Sequence, residues 1–240
     1  MRSYYHAGDI GDLIYGLAVV KALGGGELLV GTKVRSLNKP RTGIGLSQLS
    51  FISSFLRRQP YIERLHYVNH IPFALDLNAF RKYFDTPCHP IEGTKNKYPH
   101  LLELHFKYLH LPINYSPWLV AGCGEVFDVI IWRTERQVST KFPWKEVLRR
   151  YSPVFIGTEA EHARFQAQFG PVRYFKVQSL DHAAQLINSA RLCIGNSTCF
   201  LAIAVGLGKQ VIQETTPTPW HSYTPSCWPN CVDVEGPDLP

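Results

Sequence analysis

The sequence predicts an α/β fold of two doubly wound parallel-sheet domains, and three observations carry that reading. Short apolar strands alternate with helices of about ten residues, small or polar residues gather where strands end, and the alternation breaks near residue 120 at prolines and glycines. Ser3-Tyr4-Tyr5-His6 reads as the first strand and Ala7 to Asp12 as a turn. Leu13, Leu17, Val20 and Leu23 form the apolar stripe of a helix. Gly24-Gly25-Gly26 stops that helix, because glycine accepts the left-handed cap conformation, and Glu27 to Gly31 is the second strand. Residues 32 to 45 read as an exposed basic loop with Lys33, Arg35, Lys39 and Arg41. A helix at Leu46 to Arg57, a strand near Leu65 to Val68 and a helix at Leu101 to Leu109 follow, with a polar surface excursion over Pro87 to Pro99.

Pro112, Pro117 and Gly122-Cys123-Gly124 interrupt the pattern, and a new alternation begins. Phe127 to Trp132, Val154 to Gly157, Arg173 to Val177, Leu192 to Gly195 and Val211 to Gln213 read as strands. Trp144 to Tyr151, Glu159 to Phe169, Leu180 to Ala190 and Phe200 to Leu207 read as the helices between them.

Composition narrows the function classes. With 240 residues, 45% of them hydrophobic and 18% charged, the chain can bury a core and is not a disordered polymer. No apolar run reaches the ~18 to 20 residues that cross a bilayer, and Gly8 with two aspartates follows Met1-Arg2 too closely for a signal peptide, so a cytoplasmic protein is expected. The net charge of +6 suits an anionic partner, either a nucleic acid or a phosphorylated small molecule. Cys88, Cys123, Cys193, Cys199, Cys227 and Cys231 lack paired CxxC spacing, so they read as reduced thiols and no metal site is expected.

Ligands of doubly wound sheets bind outside the carboxyl ends of the strands, and five clusters fall there. In His6-Ala7-Gly8-Asp9-Ile10-Gly11-Asp12 the glycines admit a ligand close to the backbone, and Asp9 and Asp12 either cap the helix or supply a general base. Arg133, Arg136 and Lys141 follow the strand ending at Trp132; they suit a diphosphate, or form a solvated charged loop. Gly157-Thr158 gives room for a stacked base or ribose, or is a plain strand-to-helix turn. Gly195-Asn196-Ser197-Thr198 is an amide and hydroxyl nest for an anion, or an N-cap. Glu214 ends the last strand where a carboxylate can take both hydroxyls of a ribose.

Together these stretches resemble the ADP-heptose:lipopolysaccharide heptosyltransferases and their smaller relatives. The resemblance is carried by Gly11-Asp12-Leu13-Ile14 running on to Lys21-Ala22-Leu23, by Gly195-Asn196-Ser197-Thr198, and by Val205-Gly206-Leu207-Gly208-Lys209. Uncharacterised heptosyltransferase-like proteins share Arg133 to Arg136, Phe142-Pro143-Trp144 and Gly195 to Ser197. The resemblance implies the GT-B architecture: two Rossmann-like domains with a cleft between them, residues 1–118 on the acceptor side and 119–240 binding the nucleotide sugar.

It further implies a metal-independent, inverting glycosyltransferase that uses a nucleotide-diphosphate sugar as substrate and no cofactor. Asp12, with Asp9 beside it, would be the catalytic base. Gly11, Arg133, Arg136, Lys141, Gly157, Thr158, Asn196, Ser197, Thr198 and Glu214 would bind the donor, and His6 and Arg41 the acceptor. That acceptor would be a carbohydrate or, given the basic loop at Lys33 to Arg41, a hydroxymethylated DNA base. The family pattern Asp-Thr-Gly-x-x-His aligns on Ser197 to Ala202, so its Asp and His are replaced by Ser197 and Ala202, and Leu17-Ala18 stands in place of Leu-Pro. Those replacements support an alternative, a catalytically inactive nucleotide or nucleotide-sugar binding protein.

Overall fold

The computed structural model describes residues 1–33, 43–80, 100–136, 138–215, 228, 230–234, 236 and 239. Its internal contacts divide the chain into two compact units, Met1–Val120 and Ala121–Pro240.

The first unit holds a four-stranded sheet in the order β3-β2-β1-β4, built from β1 (Ser3–His6), β2 (Gly26–Gly31), β3 (Ile62–Val68) and β4 (Leu75–Asp76), all parallel. Helix α1 (Ile10–Ala22) is buried from Asp12 through Val20, as expected of a helix apolar on every side. The Trp118 indole anchors the end of the unit to this helix, its Nε1 donating to the Ile14 carbonyl at 2.9 Å. Gly24 and Gly25 take φ of 89° and 83° just past α1, and the Gly25 amide donates back to Val20 at 2.9 Å, so these glycines do close the helix. Helices α2 (Leu46–Arg58) and α3 (Leu101–Tyr108) complete the described part of the unit. His100 caps α3, accepting from the Leu102 amide at 3.0 Å, and burial pushes its imidazole pKa down to about 3.

The second unit holds a six-stranded parallel sheet in the order β10-β9-β8-β5-β6-β7. Its strands are β5 (Val129–Trp132), β6 (Val154–Gly157), β7 (Arg173–Lys176), β8 (Leu192–Gly195), β9 (Gln210–Glu214) and β10 (Cys231–Val234). The helices between them are α4 (Trp144–Tyr151), α5 (Glu159–Phe169), α6 (Leu180–Ser189) and α7 (Cys199–Gly206). Every residue of β5 is buried, which fits a central strand covered on both faces. Phe142, Trp144, Phe155 and Phe165 pack with Val129, Ile131 and Ile194 into one core.

Two strands depart from the sequence expectation: β4, two residues long, and β10, in a segment rich in proline and tryptophan, are both missing from it. Helix α1 also begins at Ile10 within the expected turn, so Gly11 and Asp12 are helical. Arg41, most of the basic loop, the excursion at 87–99, and Cys88 and Cys227 lie outside the described residues. Cys123, Cys193, Cys199 and Cys231 are unbridged; burial pushes the thiols of Cys193 and Cys199 up to about 12. No helix among the described residues is long and apolar enough to cross a membrane.

Candidate functional site

In a doubly wound sheet the ligand crevice opens where strand order reverses. In the second unit that point is the carboxyl edge of β5 and β8, since the chain adds β6 and β7 on one side and β8, β9 and β10 on the other. Four of the five sequence clusters follow the carboxyl ends of strands in this sheet, and hydrogen bonds join three of them into one polar assembly.

Asn196, fully buried, follows β8 directly. Its Nδ2 donates to the carbonyls of Thr134 at 3.0 Å and Arg136 at 2.7 Å, and its Oδ1 accepts from the Thr134 amide at 3.1 Å. The Trp132 indole donates to the Asn196 carbonyl at 2.9 Å. Trp132 sits so tightly against β8 that a Cβ on Gly195 would lie 2.3 Å from its Nε1, which requires glycine there. The asparagine side chain therefore straps the turn after β5 to the turn after β8 and faces protein groups on all sides.

Glu214, at the end of β9, also reaches that loop. Its carboxylate accepts from Arg133 Nε at 3.0 and 3.2 Å and from the Ser139 amide at 2.8 Å. Burial pushes this carboxyl above its ordinary range, with Arg133 and the Ser139 amide pulling the other way. The ribose role read from the sequence thus meets a carboxylate already engaged by protein. Arg133 also donates through Nη1 to Gln168 at 3.2 Å and lies over the Phe169 ring at 4.9 Å. Arg136 and Lys141 are exposed, and their side chains have no hydrogen-bond partner among the described residues.

Two of the candidate site residues cap helices. Thr198 caps α7, its Oγ1 accepting from the Phe200 amide at 3.1 Å. Thr158 caps α5 through a closed capping box: its Oγ1 accepts from the Glu161 amide at 3.2 Å, and Glu161 Oε2 accepts from the Thr158 amide at 2.9 Å. Gly157 takes φ of 149°, and its carbonyl accepts from the Tyr174 hydroxyl at 3.0 Å. Ser197 is half-buried beside the first amides of α7.

In the first unit the equivalent edge is the carboxyl end of β1, flanked by β2 and β4. Buried His6 places Nε2 3.3 Å from the Asp9 carbonyl. Asp9 is the exposed N-cap of α1, yet its carboxylate makes no capping bond, while Asp12 stands in the first turn, 9% exposed. An acidic group in a first turn is favoured by the helix dipole. The sequence missed Ser139, Gln168 and Phe169, whose contacts span tens of residues and leave no local pattern. Among the described residues no three or more His, Cys, Asp or Glu side chains come together in a group able to hold a metal ion.

No family model and no curated protein matches the chain. Solved structures do. The heptosyltransferase II of E. coli superposes with a TM-score of 0.61 at 12% identity, covering 98% of this chain and 92% of that one. The E. coli heptosyltransferase WaaC, solved with ADP-2-deoxy-2-fluoro heptose, gives 0.56 at 12% identity over 98% and 93%. A glycosyl transferase family 9 protein of Veillonella parvula gives 0.57 at 14% identity over 97% and 84%. The chain shares their fold.

Proposed function

We propose that this chain is a glycosyltransferase that moves a sugar from a nucleoside-diphosphate donor to an acceptor hydroxyl. The observation that supports the proposal is that the loop after β5, which carries Arg133, Arg136 and Lys141, is tied by Asn196 to the turn that opens α7 at the carboxyl edge of β5 and β8. That is an anion site on a fold shared with proteins solved with ADP or an ADP-sugar analogue. The second unit would bind the donor and the first the acceptor.

In this reading Asp12 takes the proton of the acceptor hydroxyl, whose oxygen then attacks the anomeric carbon with inversion. The bond to the nucleoside diphosphate breaks, and the charge growing on the departing phosphate is offset by Arg133, Arg136, Lys141 and the α7 amides, without a metal ion. The four unbridged cysteines among the described residues are compatible with a reducing compartment such as the cytoplasm. The test is Asp12→Ala assayed against a panel of nucleotide sugars: sugar transfer falls to background while nucleotide affinity stays within about twofold. A fully active variant removes Asp12 from the role.

The replacement of the family's Asp and His by Ser197 and Ala202 favours a second reading, a nucleotide-sugar binding protein without turnover. Ala202 is fully buried in α7 and contributes no polar group. Tight donor binding with no product from any donor selects that reading.

A further inference from the structure

The side chain of Glu214 has no exposed surface, whereas that of Arg133 keeps 11% of its own. Both carboxylate oxygens contact Arg133 Nε, and Oε1 also takes the Ser139 amide. To reach a ribose, this carboxylate would have to leave an arginine and a backbone amide buried beside it without their acceptor, which is costly. Arg133 in turn is fixed at Nε by Glu214, at Nη1 by Gln168, and on its face by Phe169. Its remaining N–H groups, on Nη2 and the second of Nη1, have no partner among the described residues and can be offered to an anion.

We propose that Glu214 is a positioning residue: it acts on the donor diphosphate through Arg133, whose guanidinium it orients, and does not touch the ribose. The assignment rests on the proposed nucleotide-sugar function. Asn196 holds the neighbouring Thr134 to Arg136 turn, so both polar residues that close this edge serve the loop that carries the cations.

Calorimetry with inorganic pyrophosphate and with the nucleoside diphosphate that the unchanged chain binds separates the possibilities. Glu214→Gln keeps the side-chain shape but turns an amide toward Arg133 Nε. It should weaken both ligands by the same factor, about tenfold or more. Glu214→Asp keeps the charge, withdraws the carboxylate by one methylene and should show the same parallel loss, which covers the case in which the glutamine variant fails to fold. With Arg133→Ala already in place, either change should have no further effect on pyrophosphate binding. A loss confined to the nucleoside diphosphate, with pyrophosphate affinity intact, shows contact with the ribose and overturns the assignment. No loss for either ligand overturns it as well. An unchanged chain that binds neither ligand overturns the proposed function and this assignment with it.

Discussion

Asn196 was legible as a polar residue at a strand's carboxyl end, but not as a side chain that ties two turns together. A polar residue at a strand's carboxyl end marks a ligand site in sequence, but its partners, Thr134 and Arg136, stand 62 and 60 residues away, and only the sheet order brings them together. Asn196→Ala leaves several of those groups buried without partners. We expect a loss of roughly 2 to 4 kcal/mol, read from denaturant unfolding, with Ser197→Ala within about 0.5 kcal/mol of the unchanged chain. His100 supplies a pH test at the same scale. Its folded pKa of about 3 lies below the ordinary 6.5, so the unfolded chain binds the extra proton and acid favours unfolding between those values. Stability should therefore be complete above about pH 6.5 and fall by roughly 1.4 kcal/mol per unit below it. His100→Asn keeps a capping side chain and should remove that share of the slope. Parallel acid limbs for the two proteins would contradict the assignment.

The elements were the most legible level, because their signals are local. Gly24 and Gly25 ended α1, and the apolar run Phe127 to Trp132 read as a strand that is buried along Val129 to Trp132. β4 was not legible, since two residues carry no period. β10 was hidden because its pairing with β9 is set by register across the sheet. Thr158→Ala should cost about 1 kcal/mol by loss of the cap, measured as a shift in unfolding midpoint. Gly195→Ala should cost more, about 3 kcal/mol, because the new methyl meets the Trp132 indole at 2.3 Å in a sheet edge with no room to give. A Gly195→Ala protein as stable as the unchanged chain would mean that this edge is looser than the structure shows.

At the scale of the whole molecule, alternation of strands and helices was enough to read two parallel sheets, and motif order was enough to read the likeness to heptosyltransferases that the solved structures share in fold. What the sequence left open was how the charges are spent. The +6 balance suits an anionic partner, and Arg133, Arg136 and Lys141, the proposed diphosphate site, lie on the loop after β5 that Asn196 ties to the turn before α7. The most direct test is thermal unfolding of the full chain with the diphosphates of adenosine, guanosine, uridine and cytidine, each at millimolar concentration. A ligand that binds only the folded chain at about one hundred times its Kd adds about 2.7 kcal/mol. The account predicts that at least one of the four raises Tm by several degrees, and that Arg133→Ala or Lys141→Ala removes most of the shift. No shift with any of the four, or a shift untouched by both substitutions, would contradict it.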